Sequence, residues 1–168
     1  MKKLLFILLV VIILPAVVQA QLPSDALFQK YANKEGAEVS AISGFMLKPF
    51  VENLISSLAE ADKEKARQYM NNISSIAIVQ SSGKDNKLKK EIMDEANKIS
   101  KNSKYSELIS MKKDNQNFKV VNLNNNGKIT EILGFGSDSN EMMLVSIQGT
   151  FTEAMIKDVL ATASKYFR

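Results

Sequence analysis

The chain has 168 residues, with 22 basic against 18 acidic side chains, and it contains no His, no Cys and no Trp. It therefore lacks the commonest general base, the thiol nucleophile and the usual ligands for zinc and copper(II). A formal net charge of +4, part of it at the extreme N-terminus, gives no argument for nucleic-acid binding.

Lys2 and Lys3 precede an unbroken apolar run from Leu4 to Leu14, Pro15 breaks it, and Val18-Gln19-Ala20 closes it. A basic start, a short apolar run and a small-residue cleavage motif together read as a secretory signal peptide. The run is too short to span a membrane, which takes about 20 residues. Residues 1–20 are expected to be removed, leaving Gln21–Arg168 as one exported domain, periplasmic or extracellular. With no Cys in the chain, a lipid anchor is not expected, and the fold is expected to rest on its apolar core instead of disulfides.

Ser24 is placed to cap a short first helix with Leu27, Phe28 and Tyr31 on one face, and Gly36 follows it. Glu38–Ile42 reads as a short strand. Pro49 suits the first turn of a second helix with Phe50, Val51, Leu54, Ile55 and Leu58 as its apolar face. Asp62 is the expected cap of a third helix, running to Asn72 with Ala66, Tyr69 and Met70 inside. Ser75–Ser81 contains Ile76, Ala77, Ile78 and Val79, a continuous apolar run of the kind found in buried strands, and Ser82-Gly83 breaks it. A fourth helix is predicted over Asn86–Ser100, with Leu88, Ile92, Ala96 and Ile99 on one side.

Four strands follow, near Tyr105–Lys112, Phe118–Leu123, Lys128–Phe135 and Glu141–Gln148. Asn126-Gly127 between the second and third is a hairpin signal, and Gly134–Asn140 reads as a looser turn. Along the last strand Met142, Leu144 and Ser146 point one way, and Met143, Val145 and Ile147 the other. Both of its faces are apolar, so it is expected either to be central and covered on both sides or to turn one face to a partner or ligand. Thr150 and Glu153 form a capping box for a last helix, Phe151–Phe167, with Met155, Ile156, Val159, Leu160 and Ala163 on its stripe. The fold class expected is α+β: a mostly antiparallel sheet with helices gathered mainly on one face.

Several of these segments resemble a secreted bacterial domain family of unknown function, family 4252, common in the Bacteroidetes. The similar runs are Phe28–Tyr31, Glu38–Ser43 with Met46-Leu47, Tyr105–Leu108, Gly127–Glu131 and Leu144–Gly149. The resemblance implies a small exported α+β domain. It implies no catalytic or binding residues. Some members of the family are lipid-anchored, from which this chain, lacking Cys, departs.

The remaining chemistry is that of Ser, Lys, Tyr and carboxylates. Ser81 with Lys84 and Ser110 with Lys113 match Ser-x-x-Lys, but without the companion elements of penicillin-binding enzymes. Asn122, Asn124 and Asn126 mimic part of a calcium loop, with neutral amides where charge is needed and Leu133 where a carboxylate is required, so a hairpin is the better reading. Asp138 and Glu141 could join a weak surface cation site, although a solvated turn explains them better. The scattered Met residues read as packing and not as a copper(I) site. Lys87, Lys90, Lys98 and Lys101 read as a solubilising face, with at most weak peripheral membrane contact.

No catalytic, cofactor-binding or metal residue is assigned, and no cofactor is expected. The function expected is a non-enzymatic binding or interaction domain of the cell envelope, its partner an envelope protein or an apolar ligand. The alternatives are a carrier holding an apolar ligand between sheet and helices near Leu54–Leu58 and Met155–Leu160, and a hydrolase using Ser, Lys or carboxylates. A homodimer through an apolar sheet face is also open. Mass spectrometry of the protein from its host envelope should show an N-terminus at Gln21. An N-terminus at Met1 in the membrane fraction would mean that the leader stays as an anchor.

Overall fold

Asn126 and Gly127 hold φ of 53° and 81°, which a two-residue hairpin of the right twist needs and which these residue types reach cheaply. Asn124 Oδ1 accepts the Gly127 N–H at 2.9 Å. The hairpin sets one antiparallel sheet in a computed structural model that describes residues 22–43, 46–56, 60–82, 85–113 and 116–163. The elements run α1 (Asp25–Tyr31), β1 (Glu38–Ser43), α2 (Leu47–Ser56), α3 (Glu60–Met70), β2 (Ile73–Ser82) and α4 (Asn86–Ser100). Then come β3 (Tyr105–Lys113), β4 (Gln116–Asn125), β5 (Lys128–Ser137), β6 (Glu141–Phe151) and α5 (Glu153–Ala163). This is the expected order, and the class is α+β. The six strands lie in the order β1-β2-β6-β5-β4-β3, so the late meander ends on β6, against which β2 and then β1 add.

The first face carries the main core. Val79, Val121, Leu133, Phe135, Met142 and Leu144 of the sheet meet Leu27, Phe28 and Tyr31 of α1 and Leu88, Ile92 and Ala96 of α4. Asp85 caps α4, accepting the N–H groups of Lys87 and Leu88 at 3.0 Å each. Two lysines of the α1 region pin α4 from outside: Glu91 is bound by Lys34 at 2.6 Å and Lys30 at 3.1 Å. These two cations, Lys34 first, hold the Glu91 carboxyl down at about 2.

The second face is covered in part. Leu47, Val51 and Ile55 of α2, with Ala66 and Met70 of α3, pack on Ile42, Ile73 and Ile76. Met155 and Ile156 of α5 pack on Ile129, Phe151, Ile132 and Ile147. The gathering of helices on one face thus holds for the main core only, and a second set lies opposite.

Some local expectations are corrected. Thr150 lies inside β6, its N–H bound to Asn72 O at 2.9 Å; Thr152 is the cap of α5, accepting the Met155 N–H at 3.2 Å. The strand runs on because Phe151 still pairs with Ile129 and is buried with it. Asp62 lies in the first turn of α3 instead of before it. β5 continues through Gly134 and Gly136 to Ser137, so the loose turn shrinks to Asp138–Asn140. Residues 164–168, Gly83 and Lys84 lie outside the described residues.

Ser24 stands at the start of α1, yet its hydroxyl caps no helix N–H. It donates instead to Glu131 Oε1, across the core. Glu131 is fully buried and also accepts the hydroxyls of Ser146 on Oε1 and Tyr105 on Oε2, both at 2.5 Å. Burial, and then the carboxylate accepting its proton, push the Tyr105 hydroxyl well above its ordinary range. Beside this cluster Gln148 Nε2 donates to Asp25 Oδ1 at 2.9 Å, and Ser75 donates to Gln148 Oε1 at 3.1 Å. One carboxylate therefore joins α1, β3, β5 and β6.

Removing it strands three buried hydroxyls, whereas removing one hydroxyl leaves the carboxylate two donors. Glu131→Leu is expected to destabilise the domain by about 3 kcal/mol or more, and Ser24→Ala by about 1.5–3 kcal/mol. Urea denaturation measures both, and a neutral Glu131→Leu would mean that the cluster holds nothing together.

Candidate functional site

Side chains on the second face form rows that cross the sheet. The row Ile42, Ile76, Ile147, Ile132 follows the register of β1, β2, β6 and β5 and lies under the helices. The next row reads Ile78, Val145, Gly134, Val120, Ile109 across β2, β6, β5, β4 and β3. The row after it reads Gln80, Met143, Gly136, Phe118, Met111 in the same strands. Here the apolar side chains come out into solvent: Met111 is 45% exposed, Met143 44% and Phe118 36%.

These rows enclose an open trough of about 400 Å³. Its floor is β5 at Gly134 and Gly136, and its walls rise from β4 and β6. Those strands stand about 10 Å apart, two strand spacings. Asp138 and Glu141, in and beside the β5–β6 turn, form its polar end. Asp138 Oδ1 accepts the N–H groups of Asn140 at 2.7 Å and Glu141 at 2.8 Å, which holds its carboxyl below the ordinary range. Glu141 makes no ion pair among the described residues.

The two floor glycines differ. A Cβ on Gly136 would stand 2.8 Å from Asn117 O and 3.0 Å from the Phe118 ring, so close approach of β4 demands glycine there. A Cβ on Gly134 meets only Val120 Cγ2, at 3.9 Å, and φ at Gly134 is not positive. Neither backbone nor packing requires glycine at that position. It interrupts a row of β-branched residues that suit a strand, and glycine inside a strand costs stability. Glycine inside a strand often marks a bulge, a tight bend or a place where a ligand or another backbone comes close.

The residues singled out in the sequence are dispersed. Ser81 is buried in β2 and Ser110 exposed on β3. Asn124 and Asn126 make the hairpin, while Asn122 is buried, its Oδ1 without a hydrogen-bond partner among the described residues. Met142 is buried and Met143 exposed, as the alternation requires. Lys87, Lys90, Lys98 and Lys101 are exposed; Lys89 is buried, and its Nζ reaches Ser139 O at 3.2 Å and Asn140 O at 3.3 Å. Val51 and Ile55 are packed in the helix–sheet core, and the trough lies further along the sheet. The Glu131 cluster gathers a carboxylate and three hydroxyls, but inside the closed core and away from the trough. Among the described residues no group of three or more His, Cys, Asp or Glu could hold a metal ion, and no helix is long and apolar enough to cross a membrane.

Met143 and Val145 were visible in the sequence as the second apolar side of the last strand. Gly134 was not, because glycine among small residues reads first as a turn. Gly134→Val should leave the fold intact and raise stability by up to about 1 kcal/mol. Gly136→Ala should lower it, and urea denaturation of the pair tests the contrast.

No curated protein matches the chain. The sequence model of the family described as Domain of unknown function (DUF4252) matches residues 31–159, which span β1 through most of α5 and include every strand that builds the trough. The chain belongs to that family of domains of unknown function.

Proposed function

We propose that this domain is a non-enzymatic binding module of the cell envelope, and that the trough over Gly134 is where it binds. The observation that carries the reading is a glycine that packing does not require, at the centre of an apolar, partly exposed sheet face. A fold that gives up strand stability at that point gains an open floor between two apolar walls. The basic and apolar leader ahead of Ala20 supports export, to the periplasm or the exterior.

The trough's volume, about 400 Å³, is near the lower end for small-molecule sites. Met111, Met143, Phe118 and Val145 give it apolar walls, and Gln116, Asn117, Ser137, Asp138 and Glu141 give it a polar rim. The densest pairing of a carboxylate with hydroxyls, around Glu131, lies in the closed core.

Native mass spectrometry of the wild-type protein and Gly134→Val, each purified gently from the host envelope, tests the reading. A mass retained by the wild type and lost from the variant is the expected result. Two bare proteins, or a mass that survives the substitution, would count against the trough.

A further inference from the structure

The trough has a charge pattern as well as a shape. Its polar end carries Asp138 and Glu141, and no Lys or Arg lines it among the described residues. In the outer row Glu38 continues the acidic side, taking a hydrogen bond from Gln80 Nε2 at 2.9 Å. Lys89 approaches the β5–β6 turn from the opposite face, where its Nζ donates to the carbonyls of Ser139 and Asn140 and its charge acts on Asp138. An anionic headgroup seated at this end would meet two carboxylates, with no Lys or Arg among the described lining residues.

Area also narrows the choice. The two open rows cross five strands, about 20 Å by about 14 Å, or roughly 300 Å². A stable dimer buries about 800 Å² on each partner, so a second copy lying on this patch alone would be held weakly. A short segment fits the area better.

We propose that the trough takes a basic and apolar segment of a partner polypeptide. This rests on the binding reading above and specifies its ligand. Arg and Lys stems lie readily along apolar surface while their heads seek charge. A stem laid along β5 crosses Gly136 beside Phe118 and Met143, and its head reaches Glu141 and Asp138. The Phe118 ring offers the cation a face on the way. The neighbouring apolar residue of the segment fills the space over Gly134.

The test uses the mature protein labelled with ¹³C at the methionine methyls. Met111 and Met143 report on the trough, and buried Met142 serves as a control. The probes are a blocked peptide Ser-Leu-Arg-Phe-Ser, its twin with Gln for Arg, and dodecanoate. Saturable shifts at Met111 and Met143, with the Arg peptide about fivefold tighter than its twin, are expected, and Glu141→Gln should remove that advantage. A twin or dodecanoate that binds as tightly as the Arg peptide would overturn the basic preference while leaving the trough as a binding site. If none of the probes moves either methyl, the binding reading fails and the inference fails with it.

Discussion

A carboxylate in an apolar core must be fully hydrogen-bonded, and Glu131 meets that condition with groups from distant parts of the chain. Ser24 precedes α1, Tyr105 opens β3 and Ser146 lies on β6. Because a hydrogen bond weakens steeply with distance and angle, these partners tolerate little sliding. The cluster fixes how α1 sits on the sheet and how β3 and β6 flank the β4–β5 hairpin. Apolar contacts alone would allow more positions, since they are non-directional. The first face is closed around this point by α1 and α4, and the second is left partly uncovered.

On the second face the cover stops partway along the strands. α2 and α3 lie over the Ile42–Ile76 side, and α5 lies over Ile132 and Ile147. A β-bulge between Ile129 and Glu131 lets Glu131 face the main core while Ile129 joins Phe151 under α5. One irregularity therefore serves both faces. Beyond the helices the rows through Gly134 and Gly136 come into solvent. Gly136 is explained by the close approach of Asn117 and the Phe118 ring, a known way for an aromatic to compensate a strand glycine. Gly134 has no such close neighbour, and the binding reading proposed above rests on that difference.

Much of the architecture was legible in the sequence, because the governing signals are local. The Asn126-Gly127 turn, the α4 boundaries and the order of elements follow from positive φ, capping and periodicity. What was hidden depended on long-range partners. Ser24 has the composition of a cap, but a buried acceptor 107 positions away takes its hydroxyl. As a local signal Thr150, with Glu153 three residues on, is the stronger cap; the pairing of Phe151 with Ile129 decides that the strand passes it and that Thr152 caps instead. Gly134 and Gly136 read as a turn until their cross-strand neighbours Val120 and Phe118 are known. The site was half legible for the same reason: alternation shows Met143 and Val145 facing out, but not which part of that face a helix covers.

The distribution of chemical groups bears on function as much as their inventory does. Nucleophilic or general-base chemistry needs an activated group within reach of substrate. Here the carboxylate with the richest set of hydroxyl partners is sealed in the core, where those bonds hold four elements in place. The accessible apolar face carries thioethers, an aromatic ring and a bare stretch of strand backbone, with two carboxylates at one end. Met side chains adapt to irregular partners at small cost, and a glycine floor lets a partner come close to the backbone. On the reading proposed above, such a surface suits an apolar shape with a cation beside it, while the directional bonds around Glu131 hold the sheet that presents it.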